Sequence, residues 1–96
     1  MTAVAQIAAD PSGHLVALRR DGNISRQVRV DGLSGTYPVR WSPVPLDGID
    51  GRIVQIAVRF DGTLAAVTGA GAVYEQFREY GDPSGAYRWR RVPEEG

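Results

Sequence analysis

The sequence has no cysteine, no lysine and a single histidine, His14. Without cysteine there is no disulfide framework, no thiolate nucleophile and no cysteine-based metal site, and one imidazole excludes most catalytic and metal-binding constellations. Every cation is arginine: eleven Arg balance seven Asp and four Glu, so the formal net charge at pH 7 is zero. A basic face of the kind that phosphate backbones require is missing, and nucleic acid is not expected as a partner. Long apolar runs are missing as well; none approaches the ~20 residues of a spanning helix, and residues 1–10 have neither a cationic start nor an extended apolar segment. The chain is therefore expected to be soluble, with no membrane insertion, no secretion signal and the cytoplasm as its default location. Only carboxylates and tyrosines remain as acids or bases, so neither catalysis nor a cofactor is expected.

What is present is punctuation and repetition. Twelve Gly and six Pro are spread along 96 residues, too densely for helices of ordinary length, which points to an all-β fold in a single domain. A monomer of this size buries only roughly 64% of its unfolded surface, a marginal core. Displacing the sequence by 49 positions matches Gln6-Ile7-Ala8 with Gln55-Ile56-Ala57, Gly13 with Gly62, Leu15 with Leu64, Ala17 with Ala66, Gly22 with Gly71 and Gln27 with Gln76. Arg29 with Arg78 and Gly32 with Gly81 follow at the same displacement. One deletion later, a displacement of 48 matches Arg40-Trp41 with Arg88-Trp89, Val44-Pro45 with Val92-Pro93, and Gly48 with Gly96. These fifteen identities define two repeats, about 1–48 and 49–96, and both tryptophans occupy the same repeat position.

Within each repeat, turn residues recur every 8 to 12 positions or so, the spacing of small antiparallel sheets. Strands are predicted at 4–9, 14–19, 23–30 and 37–44, and at 53–58, 63–68, 72–80 and 86–92. Asp-Gly pairs such as Asp21-Gly22 and Asp61-Gly62 mark tight turns; no stretch places oxygen ligands at the alternating positions of a calcium loop. A repeat of 40 to 50 residues with four strands and a recurrent Trp is the form of a β-propeller blade, and two blades do not close a ring of the usual four to eight. The expectation is a homo-oligomer: from Trp41 to Gln55 is 14 residues, and from Trp89 through Gly96 to Gln6 of a following copy is 13. Three copies give six blades with C3 symmetry; two or four copies, or a monomeric eight-stranded sandwich or barrel, are the alternatives.

The run Asp10-Pro11-Ser12-Gly13-His14-Leu15-Val16-Ala17-Leu18, its counterpart Phe60-Asp61-Gly62-Thr63-Leu64-Ala65-Ala66-Val67, then Gly71-Ala72-Val73-Tyr74 and Trp89, resemble the blades of the tachylectin and tectonin group of propeller lectins. The resemblance covers nearly the whole chain and rests on turn and core residues that many propellers share. Ser25 stands where the second repeat has Tyr74, and members of that group carry all their blades in one chain. The resemblance implies multivalent recognition of glycans in pockets between adjacent blades.

Trp41 and Trp89 present flat apolar faces that stack on sugar rings or, alternatively, pack between blades. Strand alternation sends the adjacent Arg40 and Arg88 to the opposite face, where a guanidinium fork suits vicinal hydroxyls, a carboxylate ligand, or an ion pair with Glu75, Glu79 or a nearby Asp. Tyr74 and Tyr87, with Tyr80, make the second repeat richer in recognition chemistry, and Glu75 is the carboxylate nearest that aromatic cluster. Its counterpart Arg26 reverses the charge, so alternate interfaces differ chemically. Gln27 and Gln76 read as an exposed strand surface or, alternatively, as the lining of a polar groove, and Gln6 and Gln55 as polar positions on the innermost strand.

Overall fold

The computed structural model describes residues 3–29, 39–78, 81 and 87–93. Strands β1 (Val4–Ala9), β2 (Leu15–Arg19), β3 (Ile24–Arg29) and β4 (Val39–Pro43) form one antiparallel sheet. Strands β5 (Ile53–Val58), β6 (Leu64–Thr68), β7 (Val73–Arg78) and β8 (Tyr87–Arg91) form a second, and each sheet is ordered as its strands occur in the chain. The described residues contain no helix. The predicted strand ends at residues 30, 37–38, 79–80 and 86, and the turn through residues 82–85, lie outside the described residues.

Local chemistry sets the hairpins. Asp10 Oδ1 accepts hydrogen bonds from the N–H groups of Ser12 and His14, and Asp61 Oδ1 accepts from the Thr63 N–H and hydroxyl, so each aspartate folds its turn back on itself. The two sheets share a finer signature. A register shift between Val4 and Gln6 in the β1–β2 pair recurs between Ile53 and Gln55 in the β5–β6 pair, 49 positions on. The repeat in sequence is thus a repeat in backbone geometry, bulge included.

Pairing register sorts the side chains onto two faces. In the first sheet Ile7, Leu15, Ala17, Gln27 and Trp41 share what we call the Trp face, while Val16, Leu18, Ile24 and Arg26 lie on the reverse face. In the second sheet the Trp face carries Ile56, Leu64, Ala66, Tyr74, Gln76 and Trp89. The core lies between the reverse face of the first sheet and the Trp face of the second: Val16, Leu18 and Ile24 pack with Ile53, Ile56, Leu64, Ala66, Tyr74 and Trp89. At roughly 1.5–3 kcal/mol for each large aliphatic side chain removed from water, these contacts supply most of the hydrophobic stabilisation. The linker adds Val44, Leu46 and Ile49, partly buried against the same cluster.

The two sheets form a wedge. Their Cα atoms approach within 8 Å only where β1 and β2 meet β5, closer than the ~10 Å of stacked sheets, while the outer strands stay farther apart. Among the described residues no strand of one sheet pairs with the other, which is not the pattern of a closed eight-stranded barrel, and the wedge is unlike the even spacing of an aligned sandwich. The Cα radius of gyration is 14.4 Å, against about 12.5 Å for a compact chain of this length. The arrangement is that of two blade-like sheets with their first strands innermost.

Candidate functional site

The wedge opens outward into a groove between the sheets. A cavity of about 290 Å³ is lined by Arg26, Val28 and Ser42 from the first sheet, by Pro45 from the linker, and by Gln76 and Tyr87 from the second. A neighbouring cavity of about 260 Å³ lies toward the β1–β2 and β5–β6 hairpins, between Asp10, Ser12, Arg26, Phe60, Asp61 and Tyr87. A third, of about 410 Å³, lies against Pro45, Asp47, Gly48, Arg88, Trp89 and, again, Tyr87. Tyr87, exposed at the start of β8, is therefore the hub of the groove, and Arg26 spans two of its compartments. The Arg26 guanidinium crosses between the sheets: Nη2 donates to the Gly62 carbonyl at 2.7 Å, while Nε is buried without a hydrogen-bond partner.

The other predicted residues divide. Trp89 is packed away from the groove's solvent, and its indole N–H donates to the Pro45 carbonyl at 2.8 Å. Trp41, its counterpart, stands exposed on the far side of the first sheet. Tyr74 is buried in the core, where its hydroxyl oxygen accepts the Asp50 N–H at 3.4 Å. Arg40 pairs across from Val28 and Arg88 across from Phe77, each on the opposite face from its tryptophan, as alternation requires. Glu75 lies on the reverse face of the second sheet, with Arg59 Nη1 at 2.9 Å and Arg90 Nε at 2.8 Å. The structure thus gathers Tyr87, Arg88 and Trp89 about one cavity and leaves Trp41, Arg40, Tyr74 and Glu75 elsewhere.

The electrostatics follow these contacts. The Arg90 guanidinium, with Arg59 beside it, outweighs desolvation and holds the Glu75 carboxyl below its usual range. Thr63, through its hydroxyl and then its N–H, lowers Asp61. At Asp10, burial pulls the carboxyl upward, but the hydrogen bonds from Ser12 and His14 prevail and the net shift is down. These are ionised acceptors that tie turns and strands, not proton donors. Among the described residues no three His, Asp or Glu side chains gather as a metal site.

Two glutamines have a role that a polar strand position does not announce. Gln76 Oε1 accepts the Leu64 N–H and Gln27 Oε1 the Leu15 N–H, each at 3.0 Å, so both cap the start of the second strand of their sheet. Gln76 is buried, contrary to the exposed position expected of it. Gln6 reaches across the wedge: Nε2 donates to the Ile56 carbonyl at 2.7 Å, and Oε1 accepts the Ile56 N–H at 2.8 Å. Arg26 and Phe60 were not singled out as ligand contacts; the signals available were the Arg26–Glu75 reversal and an apolar residue placed at a turn.

Compared with family models, with curated proteins and with solved structures, the chain matches none.

Proposed function

We propose that this chain is a two-blade unit of a homo-oligomeric β-propeller that recognises carbohydrate in the grooves between adjacent blades. The observation that carries the reading is that equivalent apolar positions are covered in one repeat and bare in the other. Ile53, Ile56 and Trp89 are 2%, 2% and 7% exposed, while their counterparts Val4, Ile7 and Trp41 are 45%, 59% and 42% exposed. A marginal two-sheet core that leaves a second copy of its own interface uncovered is completed by further blades, and three chains complete six.

The groove supports the recognition half of the reading. Tyr87 offers a ring face and Ser42 a hydroxyl, beside apolar walls from Val28 and Pro45. Weak sites repeated around a ring gain avidity through effective concentration. The burial of Trp89 favours a second reading, a propeller that serves structure or protein contact, because the aromatic face best suited to a sugar is spent on packing.

Light scattering and a glycan array test the proposal together. The expected mass is about 31 kDa, three times the 10.4 kDa chain, and the expected array signal is lost in Tyr87→Ala while the mass persists. A ring with no glycan response leaves the structural reading in force; a 10.4 kDa particle at micromolar concentration removes the propeller and its grooves alike.

A further inference from the structure

We infer that copies of this chain join head to tail, the Trp face of the first sheet of one copy docking on the reverse face of the second sheet of the preceding copy, through contacts that duplicate most of those already made between the two sheets of a single chain. The inference rests on the homo-oligomeric reading above and specifies its surfaces and bonds.

The intrachain interface is the template. It joins the reverse face of the first sheet to the Trp face of the second, so each chain has one of each face left over. On the free Trp face, Val4, Ile7 and Trp41, exposed, Leu15, partly buried, and Ala17, already buried, occupy the positions of Ile53, Ile56, Trp89, Leu64 and Ala66. On the free reverse face, Ala65, Val67 and Val73, all only partly buried, occupy those of Val16, Leu18 and Ile24. Apolar meets apolar at every one of these positions when the template is applied to two chains.

Two polar contacts carry over with their residue types unchanged. Gln6 brackets both backbone groups of Ile56; the counterpart pair is Gln55 of one copy on Ile7 of the next, and Gln55 is exposed in the single chain. Trp89 donates to the Pro45 carbonyl; the counterpart is the Trp41 indole on the Pro93 carbonyl of the preceding copy. The repeat therefore preserves donors and acceptors that the single chain does not use between its own sheets. Two contacts do not carry over. Arg52 donates to the Arg20 carbonyl, but its counterpart position holds Ala3, which has no side-chain donor. Arg26 donates to the Gly62 carbonyl, but its counterpart Glu75 has no proton to offer the Gly13 carbonyl and is held instead by Arg59 and Arg90. Interfaces within and between chains share the apolar, glutamine and tryptophan contacts and differ at the groove and beside the Arg20 carbonyl.

A contact of two unlike faces propagates in one direction, and a constant rotation per copy closes it into a ring. Complementation tests this. Ile7→Glu blocks the Trp face and Val67→Glu blocks the reverse face; each variant alone is expected at 10.4 kDa, and an equimolar mixture at about twice that, because each supplies the face the other has lost. Circular dichroism confirms that both variants are folded, and Trp41→Phe, which removes the indole N–H and part of the ring, is expected to weaken association by at least about fivefold per interface. If Val67→Glu associates with itself while Ile7→Glu does not, copies meet through like faces and the inference fails. If the wild-type chain forms a ring but the mixture stays monomeric, these surfaces are wrong and the ring stands; a monomeric wild-type chain overturns both.

Discussion

At the scale of single residues, acid is the most direct probe of the turns. Asp61 has its pKa lowered from 3.8 and Glu75 from 4.5, so the folded chain binds fewer protons than the unfolded one as pH falls through this range. The stabilisation is present above the unfolded values and drains away as pH drops below them. Asp61→Asn keeps an oxygen that accepts from Thr63 but removes the charge. Its expected outcome is a lower stability than wild type at pH 7, where the charge-dependent part is missing, and a shallower further loss below pH 4, so that the two denaturant midpoints converge in acid. Trp89→Phe loses the bond to the Pro45 carbonyl together with part of a buried ring, and about 2 kcal/mol of unfolding free energy should go with them. Residue roles of this kind were only partly legible in the sequence. The Trp repeat marked a structural position, but Gln76 reads as polar surface, because its task of satisfying the Leu64 N–H appears only when β7 lies beside the start of β6.

At the scale of elements, strand positions were legible because Gly, Asp and Pro punctuate each repeat and apolar residues alternate between them. The second strand, predicted from residue 14, begins at Leu15, and its counterpart predicted from 63 begins at Leu64. Which face of each sheet is buried was not legible, since both repeats carry the same apolar pattern and only the neighbouring sheet decides. Gly22 and Gly71 show the same point in the turns. Both have positive φ, 91° and 87°, so alanine strains either backbone by about 1–2 kcal/mol. A methyl on Gly22, however, would lie 3.0 Å from Arg52 Cγ and 3.3 Å from the Ile53 nitrogen, whereas one on Gly71 meets nothing within 4 Å. In the Ile7→Glu background, which keeps the chain single, Gly22→Ala is therefore expected to lower the melting temperature distinctly more than Gly71→Ala. Equal effects would show that the sheets do not press together at this turn.

At the scale of the whole molecule, the proposed head-to-tail assembly makes stability a function of concentration. A chain that covers one interface and leaves its duplicate open gains free energy from every copy it recruits, by mass action. The two tryptophans report this separately, since Trp89 is buried inside the chain and Trp41 is exposed in the single chain. With Trp89 replaced by Phe, emission comes from Trp41 alone. It is expected at long wavelength and open to quenching in dilute solution, then to shift blue and resist quenching as concentration rises, with the melting temperature climbing in step. The Val67→Glu substitution in the same background should hold the spectrum red at all concentrations, because the face that covers Trp41 belongs to the neighbouring copy. A Trp41 spectrum that ignores both concentration and Val67→Glu would mean that the open tryptophan face is simply solvent-exposed surface, and that two sheets are all this molecule assembles.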